Sequence, residues 1–119
     1  MDGLIIKEPW IELILQGKKI WEIRSSTTHK RGKIALIKSK SGHVYGTVDL
    51  VDCLFLTHDE YRISTQYHKI KYEDTEAYPY KKTYAWVLSN PILFDKPIPY
   101  KHPSGAVIWV KLGDLLSDN

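Results

Sequence analysis

Segments with strand character far outnumber helical ones along this chain, and that imbalance constrains the fold more than any other feature. Gly3–Ile6 is a short apolar run of the kind that forms a buried strand, and Ile20–Arg24, Lys33–Lys38, Val44–Leu56, Tyr84–Ser89 and Ala106–Leu112 follow with strand composition. A weaker strand at Phe94–Ile98 is bounded by Pro91, Pro97 and Pro99, which places it at a sheet edge because proline cannot donate to a ladder. Only two segments read as helices. Pro9–Gln16 has proline in its first turn and Gly17 just past its end, and Thr57-His58-Asp59-Glu60 opens with the threonine and glutamate of a capping box, predicting a helix through about Tyr67. Residues 68–82 are polar and tyrosine-rich and read as a surface loop. The expected class is α+β: a mostly antiparallel, five- to six-stranded, partly closed β-barrel with two or so short helices covering its ends.

A length of 119 residues, 43% of them hydrophobic, suits one core, so residues 1–119 are expected to form a single domain. Cys53 is the only cysteine; it excludes an internal disulfide, completes no metal-ligand spacing and reads as a small buried hydrophobe. No metal and no cofactor is expected. A reducing cytoplasm is the natural compartment. The first residues carry neither a basic leader nor a sustained apolar run, because Leu4–Ile6 gives way at once to Lys7 and Glu8, so neither a signal peptide nor a membrane partner is expected. The net charge of +3 is unevenly placed: residues 1–45 hold nine Lys/Arg against four Asp/Glu, and the remainder eight against ten. A basic face of this kind attracts polyanions, or it stands solvated with no partner.

The chemistry concentrates between the first helix and the second strand, in Gly17-Lys18-Lys19-Ile20-Trp21-Glu22-Ile23-Arg24. On a strand Glu22 and Arg24 emerge on one face about 7 Å apart, with Trp21 and Ile23 turned the other way, toward the core. Arg24 can fork onto a phosphate or a base edge, and Glu22 can accept from an exocyclic amine or hold Arg24 in place. Lys19, just beyond the helix, supplies a compact positive charge at the mouth of the same cleft. Trp10, Trp21, Tyr84 and Trp86 are candidate flat surfaces for bases, although alternation turns Trp21 toward the core and Trp86 and Trp109 read better as core than as platform. The competing structural explanation is a partly buried Arg–Glu pair that fixes a strand and touches no ligand.

That octapeptide fits GxKxxExR throughout, and so resembles the signature of the ASCH family, named for activating signal cointegrator homology. Lys7-Glu8-Pro9-Trp10, Gly46–Cys53, Tyr84–Pro91 and Ile108–Leu112 are similar to the cointegrator-type branch, so the resemblance covers nearly the whole chain and is weakest across 57–82. It implies a PUA-like barrel and, first, a module that binds RNA or another single-stranded nucleic acid, or a nucleoside, through Lys19, Glu22 and Arg24 with Lys7, Trp10 and Tyr84 beside them. The expected form is a monomer, with protein partners also open because the tyrosines of 67–84 could form an interaction surface. On this account Lys19→Ala or Arg24→Ala weakens RNA binding at a nearly unchanged melting temperature.

The resemblance implies a second class, a metal-independent hydrolase that deacetylates N4-acetylcytidine or cleaves RNA. In the deacetylating relatives a threonine is the nucleophile and a lysine activates it. Here Lys19 matches the lysine, but Glu22 stands where the threonine would be, and a carboxylate can only direct water or carry a proton. Thr27 and Thr28 read better as a polar turn. For RNA cleavage Lys19, Glu22, His29 and Tyr84 are the available residue types, while His43, His58, His68 and His102 are scattered and read as surface side chains. No glycine-rich phosphate loop, HExxH pattern or serine elbow is present.

Overall fold

The computed structural model describes residues 1–116 and has the element order β1 (Asp2–Ile6), α1 (Trp10–Leu15), β2 (Trp21–Arg24), β3 (Gly32–Lys38), β4 (His43–Leu56), α2 (His58–Ile63), α3 (Thr65–His68), a 3-10 turn (Tyr72–Thr75), β5 (Thr83–Pro99) and β6 (Trp109–Lys111). All six strands join one sheet in the order β2-β5-β4-β3-β1-β6. Only β1 and β3 run parallel; the other four ladders are antiparallel, and of these β3 and β4 are joined by a short turn. The class is α+β.

The sheet rolls into a barrel-like shape without a closing backbone ladder. Register shifts in β4 between Val44/Gly46, Thr47/Asp49 and Leu50/Asp52 bend the long strand, as bulges do. Side chains close the seam instead: Arg24 on β2 donates from Nη2 to the Ile5 carbonyl on β1 at 3.0 Å, and Trp86 on β5 stacks on Trp109 on β6 at 5.9 Å between ring centroids. Inside lie Leu4, Ile6, Ile11, Ile14, Leu36, Val48, Leu50 and Trp86, all almost wholly buried. Burial of each such aliphatic side chain stabilises the fold by roughly 1.5–3 kcal/mol, which makes this cluster the frame on which the seam is hung.

Helix α1 covers one side of this core through Ile11, Ile14 and Leu15. It ends as the glycine predicts: Gly17 has φ +78°, its N–H reaches the Ile14 carbonyl at 2.9 Å, and the Lys18 N–H reaches Leu13 at 2.9 Å, the paired closure of a Schellman motif. The Glu8–Pro9 peptide is cis, and Pro9 is the N-cap and not a helical residue. Gly46 lets α1 and β5 close on β4, since a Cβ there would stand 2.2 Å from the Ile92 carbonyl oxygen and 2.7 Å from Leu15.

Three boundaries differ from expectation. The strands predicted at Tyr84–Ser89 and Phe94–Ile98 are one continuous β5, because β4 is long enough to pair with both halves; beyond Val87 the strand has β4 on one side only, and its prolines fall in that edge portion. The last strand shrinks from Ala106–Leu112 to Trp109–Lys111, the three residues that pair with Asp2, Gly3 and Leu4 of β1. The capping box at Thr57 and Glu60 is formed, but the helix breaks at Ser64 into α2 and α3, where Ile63-Ser64-Thr65 weakens helix propensity. Cys53 lies in a strand but is only partly buried, past the bulges that shift the phase of β4. No helix among the described residues is long and apolar enough to cross a membrane.

Candidate functional site

At the side-chain-closed seam lies a cleft of about 410 Å³. Its walls come from β1 and the turn after it (Ile5, Lys7), the start of α1 (Trp10), β2 (Glu22, Ile23, Arg24), Ser39, and the α2–β5 segment (Tyr61, Ile70, Pro79, Tyr80). Five of the six residues that the sequence pointed to line it: Lys7, Trp10, Lys19, Glu22 and Arg24. Tyr84 does not. It meets Phe55 on the neighbouring strand edge-on at 5.7 Å and packs against the apolar core cluster.

Glu22 is the hub of the polar floor. Its Oε2 accepts from Arg24 Nε at 3.1 Å and Nη2 at 2.9 Å, and its Oε1 stands 3.8 Å from Lys19 Nζ. Arg24 also holds the Ile5 carbonyl, so its guanidinium is fixed on two sides and only partly exposed. Of the two roles the sequence allows Glu22, the geometry has it holding Arg24 in place. The facing of β2 is corrected. Glu22 turns into the roll and is 7% exposed, whereas Trp21 packs against Tyr67 of α3 at 4.8 Å, in a side cluster with Leu56 and Tyr61.

Lys19 is not at the mouth but on the floor, 2% exposed. Its Nζ donates to the His68 carbonyl at 2.6 Å and sits 4.7 Å from the centroid of the Trp10 ring. Burial pulls its pKa down to about 8, opposed by the Glu22 carboxylate and reinforced by the Arg24 charge. A cation poised so close to neutral pH can hold an anionic group or exchange a proton.

His68 is the residue sequence reasoning missed. Expected at the surface, it is completely buried. Its Nδ1 accepts from the Ile70 N–H at 3.0 Å, which leaves Nε2 to donate to the Tyr61 carbonyl at 2.6 Å, so the ring is neutral; burial, first of all, lowers its pKa. The ring thus locks α2 to the segment after α3, and its own carbonyl faces Lys19. Ile20 N–H to Tyr67 carbonyl, 3.0 Å, ties the same hairpin to the entry of β2. The Tyr78 hydroxyl, bonded to the Leu56 carbonyl and the Thr83 N–H, anchors the loop that brings Pro79 and Tyr80 to the cleft. No sequence spacing announces these contacts; the usable signal was the break at Ser64, which turns His68 inward.

Among the described residues no group of three His, Cys, Asp or Glu side chains could hold a metal ion. The hydroxyl groups on the cleft wall belong to Ser39, Tyr61 and Tyr80, and no threonine is among them.

Comparison with solved structures finds the same fold in an ASCH protein from Zymomonas mobilis, at 15% identity and a TM-score of 0.69 over 82% of this chain and 72% of that one. Two single-residue variants of the Zymomonas mobilis protein superpose with TM-scores of 0.74 and 0.75 at 14% identity, covering 98% of this chain and 91% and 93% of theirs. No curated protein matches significantly. The ASCH domain family model matches residues 4–98, which include every element from α1 to the 3-10 turn, Leu4–Ile6 of β1 and all of β5 but Pro99. The chain belongs to the ASCH domain family.

Proposed function

We propose that the protein binds RNA, single-stranded or carrying a modified base, in the seam cleft. One observation carries this: Lys19, Glu22 and Arg24 are largely withdrawn from water yet all three line a hollow that opens to it. Desolvating three charges costs stability that their mutual pairing offsets only in part, and ligand recognition is a reason for keeping them there. A volume of about 410 Å³ lies in the usual range for a small-ligand site and admits a base with its sugar. Exposed Lys7 stands where a phosphate would pass, and Trp10, Pro79 and Tyr80 offer flat or apolar walls to a base. Glu22 Oε1, with only the longer Lys19 contact, is free to accept from an exocyclic amine.

The test is the salt dependence of binding to a single-stranded RNA oligomer. With two or three phosphates engaged, affinity falls roughly tenfold between 50 and 200 mM salt. Binding that ignores salt contradicts the reading.

A hydrolytic reading has the lowered pKa of Lys19 beside Glu22 in its favour. It lacks the threonine nucleophile of the deacetylating relatives, so Glu22 would have to direct a water molecule. Metal-independent turnover of N4-acetylcytidine or of labelled RNA, lost in Lys19→Met, would establish it in place of simple binding.

A further inference from the structure

A second hollow of about 450 Å³ adjoins the seam cleft, and Ile5, Ser39 and Val107 line both. Its remaining walls include Lys40, Tyr100 and His102. Granting that the seam cleft takes a base, we propose that the two hollows form one groove for consecutive nucleotides of a single strand, so that the ligand is an oligonucleotide and not a free nucleoside.

The two halves share a size and an exposed cation. Each is large enough for a base and sugar, and each has one exposed lysine at its edge, Lys7 beside the first and Lys40 beside the second. Lys40 occupies a left-handed turn position, φ 67°, immediately after the shared Ser39. A phosphodiester crossing from one hollow to the other would therefore run over Ser39 with a cation on either side. The second hollow also offers a fixed aromatic surface. His102 Nε2 donates to the Ala106 carbonyl at 2.8 Å, so Nδ1 accepts from the Tyr100 hydroxyl at 2.8 Å. Both edges of the imidazole are engaged, leaving its faces for contact. The Tyr100 ring meets it at 61° with 5.8 Å between centroids, so the pair forms a corner already in place before ligand arrives. A nucleoside alone would leave this corner, and Lys40, unused.

Calorimetric titration with cytidine 5′-monophosphate, the 5′-phosphorylated cytidine dinucleotide and an octamer of cytidine tests this. The dinucleotide is expected to bind at least about tenfold more tightly than the mononucleotide, since a second stacked base and a second phosphate are added. In Lys40→Gln and in His102→Ala that ratio falls toward one, and Lys40→Gln lowers the salt slope for the octamer by about 0.7. Lys40 is exposed on a turn, so its variant reports binding even if His102→Ala loosens the loop. Equal affinity for mononucleotide and dinucleotide, or a ratio and slope untouched in Lys40→Gln, overturns the two-nucleotide groove while leaving the seam cleft standing. Binding of none of the three ligands overturns the seam cleft itself.

Discussion

Burial and pairing act against each other on Lys19, and burial prevails: its pKa sits near 8 although a carboxylate lies within 3.8 Å. The consequence for stability follows from proton counts. The unfolded lysine keeps its proton up to its ordinary value of 10.5, while the folded one loses it near 8, so between those values the unfolded chain binds more protons and stability rises with pH. Below pH 8 both states are charged and the desolvation penalty is felt in full. Relative to Lys19→Met, in which the shared tyrosine titrations cancel, the wild type should gain roughly 2–3 kcal/mol between pH 7 and 10.5 in urea melts. A difference flat with pH would mean that Lys19 keeps an ordinary pKa and an exposed ammonium group. At this scale the signature was legible in what it contains and illegible in how deep it lies: GxKxxExR identifies the three charges, but the depth of Lys19 depends on the His68 carbonyl, 49 residues away along the chain.

Between elements, Arg24 is the tie across the seam, joining β2 to β1, which are not neighbours in the sheet. Removing it deletes the bond to Ile5 and leaves Glu22 with Lys19 alone. Arg24→Ala should therefore lower stability by roughly 2–3 kcal/mol, against the sequence-based expectation of an unchanged melting temperature, because a mostly buried carboxylate loses its principal partner. Arg24→Lys, which retains the charge but not the fork, should recover part of that loss. An Arg24→Ala protein as stable as wild type would show that the seam is held by packing alone. Most elements could be read from local signals: the glycine stop of α1, the Thr57 box, and the alternation of Val44, Gly46, Val48 and Leu50, all of which are buried. The merging of two predicted strands into β5 could not, since it depends on the length of β4, and nor could the shortening of β6, which is set by pairing with β1 at the far end of the chain.

On the scale of the molecule, the open sheet explains where the candidate site is. A barrel closed by backbone ladders would bury its seam; here β2 is an edge strand, and its free side, facing β1 across the gap, is where the charged floor and the two adjoining hollows are found. The α2–β5 segment contributes Tyr61, Pro79 and Tyr80 to the walls of the cleft. Nuclear magnetic resonance titration of isotope-labelled protein with a short single-stranded RNA tests this placement most directly. The account predicts that perturbed backbone and indole signals gather at Ile5, Lys7, Trp10, Ser39 and Tyr80; saturable shifts confined to the exposed β4–β5 face around Phe55 and Leu93, or no shifts at all, would contradict it.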